Sequence, residues 1–318
     1  MSPGCRMEVK NILFLGGAKR VAMARLFKEA GARRGLKVNI FGYELDRRVP
    51  LACEGEIIIG ERWNSPSIYE HIAEVHEKRG ISAIIPFVDP AVEIAAVCSR
   101  RLPGVFAAAG DAALARTMFD KVEADRLFHE KGIAVPARVS AESPRYPFIA
   151  KPRTGSASKG IVVVRDSRQG TPADFKPEDY LLQEYVADAV EYTVDCYVSA
   201  DGLPLAVVPR RRIEVTGGEV SVTQTEKNSR LMSLATEALL SLGLRGPVTL
   251  QYLFDSAADR YLLMEINPRL GGGAVCAVHA GADLPGFILD EAAGKVPAAS
   301  CDWRDGTYMT RYMQEVVF

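Results

Sequence analysis

Short apolar runs alternate with helical spacings through the N-terminal third of the chain. Residues 11–15 and 37–41 read as strands, 56–59 as a third apolar run, and 81–88 as a buried strand that ends at Asp89-Pro90. Between them, residues 21–34 carry a helical period that Gly35 ends. Residues 67–79 carry another that stops at Gly80, and 91–100 carry a third. Strands alternating with helices predict right-handed βαβ units on a parallel sheet. Residues 1 to about 110 are therefore expected to form one Rossmann-like α/β unit.

Beyond residue 116 the pattern changes. Residues 118–131 have the spacing of one amphipathic helix closed by Gly132, and 147–152 form an apolar strand ending in Lys151-Pro152. A polar glycine/serine loop follows over 153–160, then a further strand over 161–164, so the segment predicts a hairpin. Strand patterns recur over 180–186, 191–198, 203–208, 248–254 and 261–267. Gly217-Gly218 marks a turn, and 226–242 is a helical stretch closed by Gly243. The apolar-rich tail, 302–318, is expected to pack as a strand. Mixed strands with few helices predict an α+β second half, and the chain shows no internal repeat or low-complexity segment.

Composition adds exclusions. The chain has 318 residues, 48% hydrophobic and 25% charged, ordinary for a soluble globular protein and long enough for two domains. A formal net charge of −1 speaks against nucleic acid or an anionic membrane as partner. No apolar run approaches the ~20 residues of a membrane span, and the first residues lack the basic-then-apolar layout of a secretory signal. Cys5, Cys53, Cys98, Cys196, Cys276 and Cys301 lie far apart without a CxxC pair, which fits reduced thiols in a cytoplasmic protein. The histidines show no HxxxH or HExxH spacing, so zinc chemistry and a histidine-activated nucleophile are not expected.

The chemistry concentrates in residues 261–273, Tyr-Leu-Leu-Met-Glu-Ile-Asn-Pro-Arg-Leu-Gly-Gly-Gly. On a strand, Glu265 and Asn267 point to one face, and they are oxygen ligands of the kind a hard Mg²⁺ takes. Arg269 adds a cation, and Gly271, Gly272 and Gly273 let backbone come close to a ligand. An edge strand ending in an ordinary glycine turn would read the same way, so the other segments decide the matter. Gly16-Gly17 lacks the later glycines of the G-x-G-x-x-G fingerprint, which disfavours a nicotinamide cofactor. Glu44, Asp89 and Glu93 are the polar residues at that crevice, readable equally as turn and capping residues. The 153–160 loop is not a Walker loop, but its backbone N–H groups can fold over phosphates. Lys151 ends an apolar strand, where an unpaired buried ammonium is costly. Glu191 and Asp195 are also spaced to pair across strands with Arg210, Arg211 and Arg212.

Taken in order, these segments resemble the ATP-grasp superfamily, the group of carbamoyl-phosphate synthetase, biotin carboxylase, D-alanine–D-alanine ligase and the amino-acid ligases, over residues ~1 to 300. The resemblance implies an α/β and α+β architecture. An N-terminal Rossmann-like pre-ATP-grasp domain over 1–115 precedes a two-subdomain ATP-grasp fold. Its subdomain A covers 116–186 and its subdomain B, with the metal site and tail, covers 187–318. By position, Lys121 and Lys151 are implied as the two ATP-phosphate lysines. Gly155, Ser156, Ser158 and Gly160 are implied as the phosphate loop. Gln183, Glu184, Tyr185 and Val186 are implied as the hinge that meets adenine, with Glu184 facing its exocyclic amine, and Glu191 as the carboxylate on the ribose. Gln251, Glu265 and Asn267 are implied as ligands of Mg²⁺, two ions in all, with Mn²⁺ as a substitute, and Arg269 as the arginine at the transferred phosphoryl. Two departures stand out: the interval from Lys121 to Lys151 is short for the family, and Lys159 stands in the phosphate loop where small residues are frequent.

The implied activity is a two-step, ATP- and Mg²⁺-dependent ligation of a small-molecule carboxylate, an amino acid among the candidates, to an amine through an acylphosphate. Arg210, Arg211, Arg212 and Gly272 are candidates around the substrate. Homodimers occur among the relatives. The alternatives are a carbamoyl-phosphate-synthetase-like enzyme that phosphorylates bicarbonate, against which only one ATP-grasp unit is present, and a non-catalytic ATP-binding protein.

Overall fold

The computed structural model describes residues 7–155 and 159–318. The N-terminal part is a five-stranded parallel sheet built from β1 (Glu8–Leu15), β2 (Leu36–Glu44), β3 (Glu56–Ile59), β4 (Ile81–Pro86) and β5 (Phe106–Ala107), in the order β3-β2-β1-β4-β5. Alternation along β1 sorts its side chains. Ile12 and Phe14 pack with Met23, Ala24 and Phe27 of α1 (Val21–Arg33). Leu13 and Leu15 pack with Ile72 and Val75 of α2 (Ile68–Arg79) and Ile94 of α3 (Asp89–Arg101). The sheet is thus covered on both faces, as a parallel sheet requires. The carboxyl ends of β1 and β4, where the strand order reverses, open a crevice.

The single helix expected over 118–131 is two helices, α4 (Ala112–Phe119) and α5 (Lys121–Glu130). Asp120 breaks them. Its carboxylate accepts from the backbone N–H of Val122 and Glu123, so it caps α5 instead of continuing α4. A three-stranded sheet follows, β7-β6-β8, made of β6 (Phe148–Pro152), β7 (Val162–Val164) and β8 (Tyr180–Glu184).

The remaining strands are β9 (Val190–Val198), β10 (Pro204–Thr216), β11 (Glu219–Thr225), β12 (Gly246–Asp255), β13 (Arg260–Asn267) and β14 (Tyr308–Thr310). They form one sheet in the order β13-β12-β9-β10-β11-β14. One face is apolar: Val194, Leu250 and Ile266 pack against Leu231, Ala235 and Leu239 of α6 (Ser229–Ser241). The strand expected over 203–208 runs on to Thr216 and hairpins back at Gly217-Gly218. The tail expected as a strand forms only the three residues of β14, and Tyr312, Met313, Val317 and Phe318 are exposed. Two helices, α7 (Ala274–Ala280) and α8 (Leu284–Ala292), arise where no period was read. They are apolar nearly all round because they are enclosed, α8 packing beside α1. Among the described residues no helix is long and apolar enough to cross a membrane.

Candidate active site

The second face of the six-stranded sheet is polar, and its rows follow from register. Glu265 lies opposite Gln251, Gln251 opposite Thr193, and Thr193 opposite Arg210. The next row holds Asn267, Thr249 and Asp195. Directly paired residues share a face, so Gln251, Glu265 and Asn267 converge as the strand alternation required. Asn267 is 5% exposed. Its carboxamide oxygen accepts from Arg269 Nη2 at 2.9 Å, and Arg269 Nε reaches the carboxylate of Asp89, the first residue of α3, at 2.5 Å. Arg269 thus ties the metal-type oxygens to the crevice of the parallel sheet.

Both lysines arrive from the other side. Lys121 is the first residue of α5. Its backbone N–H bonds to the carbonyl of Arg153, whose guanidinium returns to Asp120 at 2.6 Å, so the start of α5 is fixed to the end of β6. Lys121 Nζ donates to the Gly155 carbonyl at 2.9 Å. One cleft is lined by Asp89, Lys121, Gly155, Glu265 and Asn267, and an adjoining apolar slot by Phe128, Val135, Leu181, Leu263 and Met264. Lys151 on β6 is 6% exposed, and burial pulls its ammonium down to about 8. Glu265 and Asp125 draw it up again and Lys121 opposes them. Gly160, at the far side of the loop, takes a left-handed φ of +74° against Pro152. Ser156 and Ser158 lie outside the described residues.

The remaining candidates are placed as follows. Gln183 turns its side chain inward, onto Lys151. The Glu184 carboxylate accepts from the backbone N–H of Ala137 at 3.0 Å and pairs with Arg260 at 3.2 Å. Tyr185 donates its backbone N–H to Pro147, and Val186 follows beyond β8. Glu191 pairs with Arg212 at 3.0 Å, and Arg210 with Asp195 at 2.6 Å, both across β9 and β10. The Arg210–Asp195 pair is enclosed, each residue 1% exposed, while Arg211 points to the opposite face beside Tyr192. The three glycines are shaped by that polar face. A Cβ at Gly271 would sit 2.8 Å from Thr249 Oγ1, and one at Gly273 would sit 2.4 Å from Arg210 Cζ. Gly272 lies against Arg20 and takes a hydrogen bond from Arg311 on its carbonyl.

Residues 176–315 match a family described as ATP-grasp in the biosynthetic pathway with the Ter operon. Among solved structures, the chain is similar to a biotin carboxylase–β,γ-ATP complex from Campylobacter jejuni, with a TM-score of 0.73, 19% identity, and coverage of 94% of this chain and 74% of that one. This likeness is one of fold. An L-amino acid ligase from Bacillus licheniformis has the same fold, with a TM-score of 0.66 at 17% identity over 89% of this chain and 74% of that one. In sequence the chain is similar to the alpha subunit of mitochondrial methylcrotonoyl-CoA carboxylase from Arabidopsis thaliana, 24% identical over 231 residues, 63% of this chain. It spans about a third of that protein's length, 31%.

On this fold, four groups have no signal in the sequence as site residues. Asp89 was named only as a crevice residue, and nothing in its spacing ties it to Arg269, 180 positions on. Asp125 sits one helical turn after Lys121, a spacing that places both on one face of α5. Arg20 and Arg311, far apart in the chain, both pair with Glu219 beside Gly272, at 3.0 Å and 2.7 Å. The polar face also carries unpartnered atoms: Thr193 Oγ1, Arg210 Nη1 and Ser221 Oγ are buried without a hydrogen-bond partner. All three groups can donate, from three adjacent strands. Buried donors left open on one face fit an acceptor-rich ligand.

Proposed function

We propose that this chain is an ATP-dependent carboxylate–amine ligase. The observation that carries the reading is the convergence of Lys121, Gly155, Glu265 and Asn267 on one cleft, with the buried Lys151 within electrostatic reach of Glu265 and Lys121 and Arg269 bonded to Asn267. A triphosphate brings about four negative charges, and two lysines with an arginine offset most of them. The slot beside the cleft, walled by Phe128, Val135, Leu181 and Leu263, suits a purine ring, and Glu184, Tyr185 and Val186 follow along the chain at the end of β8.

Mg²⁺ fits the oxygens of Gln251, Glu265 and Asn267. With a single carboxylate among them, the ion would need phosphate oxygens to complete its shell. When bound, it would neutralise charge on the phosphates. Asn267 keeps one lone pair free for this purpose, the other being taken by Arg269.

In the proposed reaction an oxygen of the substrate carboxylate attacks the γ-phosphorus, the bond to ADP breaks, and an acylphosphate forms. The nitrogen of a neutral amine then attacks the acyl carbon, the C–O bond to phosphate breaks, and the nitrogen gives up a proton as phosphate leaves. Arg269 stabilises the oxygens of the moving phosphoryl, a positioning and electrostatic role that needs no covalent step from the protein. Arg212 lies within electrostatic reach of Glu265. Burial lowers its pKa first, and Glu191 and Glu265 oppose that. Arg20 and Arg311 share the single carboxylate of Glu219, leaving an excess of positive charge beside Gly272, which favours an acidic substrate.

The test is ADP and phosphate release from ATP and Mg²⁺ with a panel of carboxylic acids, amino acids and bicarbonate, each with and without an amine, and mass analysis of the product. Acid-stimulated release with an amide product is the expected result. Release stimulated by bicarbonate alone would replace the ligase by a bicarbonate-phosphorylating enzyme. ATP binding without any stimulated release would reduce the chain to a nucleotide-binding protein.

A further inference from the structure

A buried chain of polar groups runs beneath the proposed phosphate site. Lys151 Nζ donates to Gln183 Oε1 at 2.8 Å, and Gln183 Nε2 donates to Asp125 Oδ1 at 2.7 Å. Gln183 Nε2 also lies 3.3 Å from the Pro136 carbonyl, and the second Asp125 oxygen takes Arg138. Asp125 is 2% exposed, Gln183 3% and Lys151 6%. Three elements meet here: α5 brings Asp125, β8 brings Gln183 and β6 brings Lys151.

We propose that Asp125 is a positioning residue for Lys151, acting through the carboxamide of Gln183. The inference rests on the reading of Lys151 as a phosphate-binding cation, and it adds the device that keeps that cation aimed and charged.

The amide of Gln183 has only one workable orientation. A carboxylate and a backbone carbonyl accept only, and an ammonium donates only. Turned over, the amide would set its NH₂ against the ammonium and its oxygen against both acceptors. Asp125 therefore dictates that the carbonyl oxygen of Gln183 faces Lys151. A hydrogen bond to the charged form favours that form. The groups acting on Lys151 are Glu265 from β13 and Asp125 from α5, which favour the ammonium, and Lys121 from α5, which opposes it. Burial is the largest influence and removes charge, so the orientation of one amide matters. The same link ties the helix that starts at Lys121 to the strand that carries Lys151. Both phosphate lysines then keep a fixed spacing.

The test follows the titration of Lys151 in the full chain without nucleotide, from the pH dependence of its acylation rate read by peptide mass spectrometry. The variants are Gln183→Leu, Gln183→Glu and Asp125→Asn, with thermal unfolding checked for each. Removing the facing oxygen in Gln183→Leu should move the midpoint down by about one pH unit, and Gln183→Glu should move it up by at least as much. Asp125→Asn leaves the group touching Lys151 unchanged but frees the amide to turn, so its midpoint should also fall. Midpoints in folded Gln183→Leu and Asp125→Asn equal to wild type would overturn the proposal. Should Gln183→Leu not fold, Gln183→Glu and Asp125→Asn decide alone. Because no nucleotide is present, a wild-type protein that fails to bind ATP would sink the functional reading while leaving this measurement intact.

Discussion

Arg269 holds the carboxamide oxygen of Asn267 at 2.9 Å while its Nε rests on Asp89 at 2.5 Å. One guanidinium therefore orients an oxygen proposed for the metal and is itself oriented by the parallel-sheet domain. Arg269→Lys keeps a charge but cannot span both partners. ADP release by this variant should fall about a hundredfold or more, and the Mg²⁺ concentration for half-maximal rate should rise. An unchanged Mg²⁺ dependence would separate Arg269 from Asn267.

Glu265 supplies the only carboxylate of the proposed metal trio. Glu265→Gln should abolish acid-stimulated ADP release, as should chelation of divalent ions, while thermal unfolding stays near that of the parent. Persistent Mg²⁺-dependent turnover in the variant would remove Glu265 from the site.

Arg210 and Asp195 form an enclosed pair. Replacing Arg210 alone strands a buried carboxylate, at a cost of about 3–5 kcal/mol. Denaturant unfolding of Arg210→Met should show that loss, and Arg210→Met with Asp195→Leu should regain most of it. Equal stability of Arg210→Met and wild type would mean the pair contributes nothing to the fold.

Gly273 lies flat on the Arg210 guanidinium, with no room for a methyl group 2.4 Å from Cζ. Gly273→Ala should cost about 1–3 kcal/mol through this overlap. Its φ of −87° is open to alanine, so a neutral result would show that the turn can shift off the sheet.

Glu44 ends β2 beside the β1–α1 turn, and burial pushes its carboxyl up to about 7 from 4.5, against the backbone N–H groups of Ala18 and Gly17. The folded protein then holds more protons than the unfolded chain between these values, so this group makes stability fall as pH rises through that window. Glu44→Gln should flatten the slope of Tm against pH between about 4.5 and 7 and unfold at higher temperature at pH 8. The same slope in both proteins would show that Glu44 ionises freely.

Much of this site is visible in the chain before it folds. The pair Glu265 and Asn267 depends only on strand alternation, a local rule. Lys151 at the end of an apolar strand reads equally well, because its burial follows from its neighbours along β6. The helix break at Asp120 was hidden, since residues on both sides keep a helical period and only a cap decides. The helices α7 and α8 were hidden for the opposite reason: enclosed on most sides, they show little amphipathic contrast.

The arginines mark the boundary between the two sources of information. The sequence by itself determined that three lie in a row, and that carboxylates at 191 and 195 are spaced to meet them across a hairpin. Tertiary structure alone decided that Arg210 is sealed with Asp195 under Gly273, that Arg212 pairs with Glu191, and that Arg211 faces away. It likewise decided that Asp125 orients Gln183 on Lys151 and that Asp89 reaches Arg269. Alternation and capping act between near neighbours and leave a periodic trace. Burial and ion pairing join segments up to 256 positions apart, and no local pattern records which partner the fold will supply.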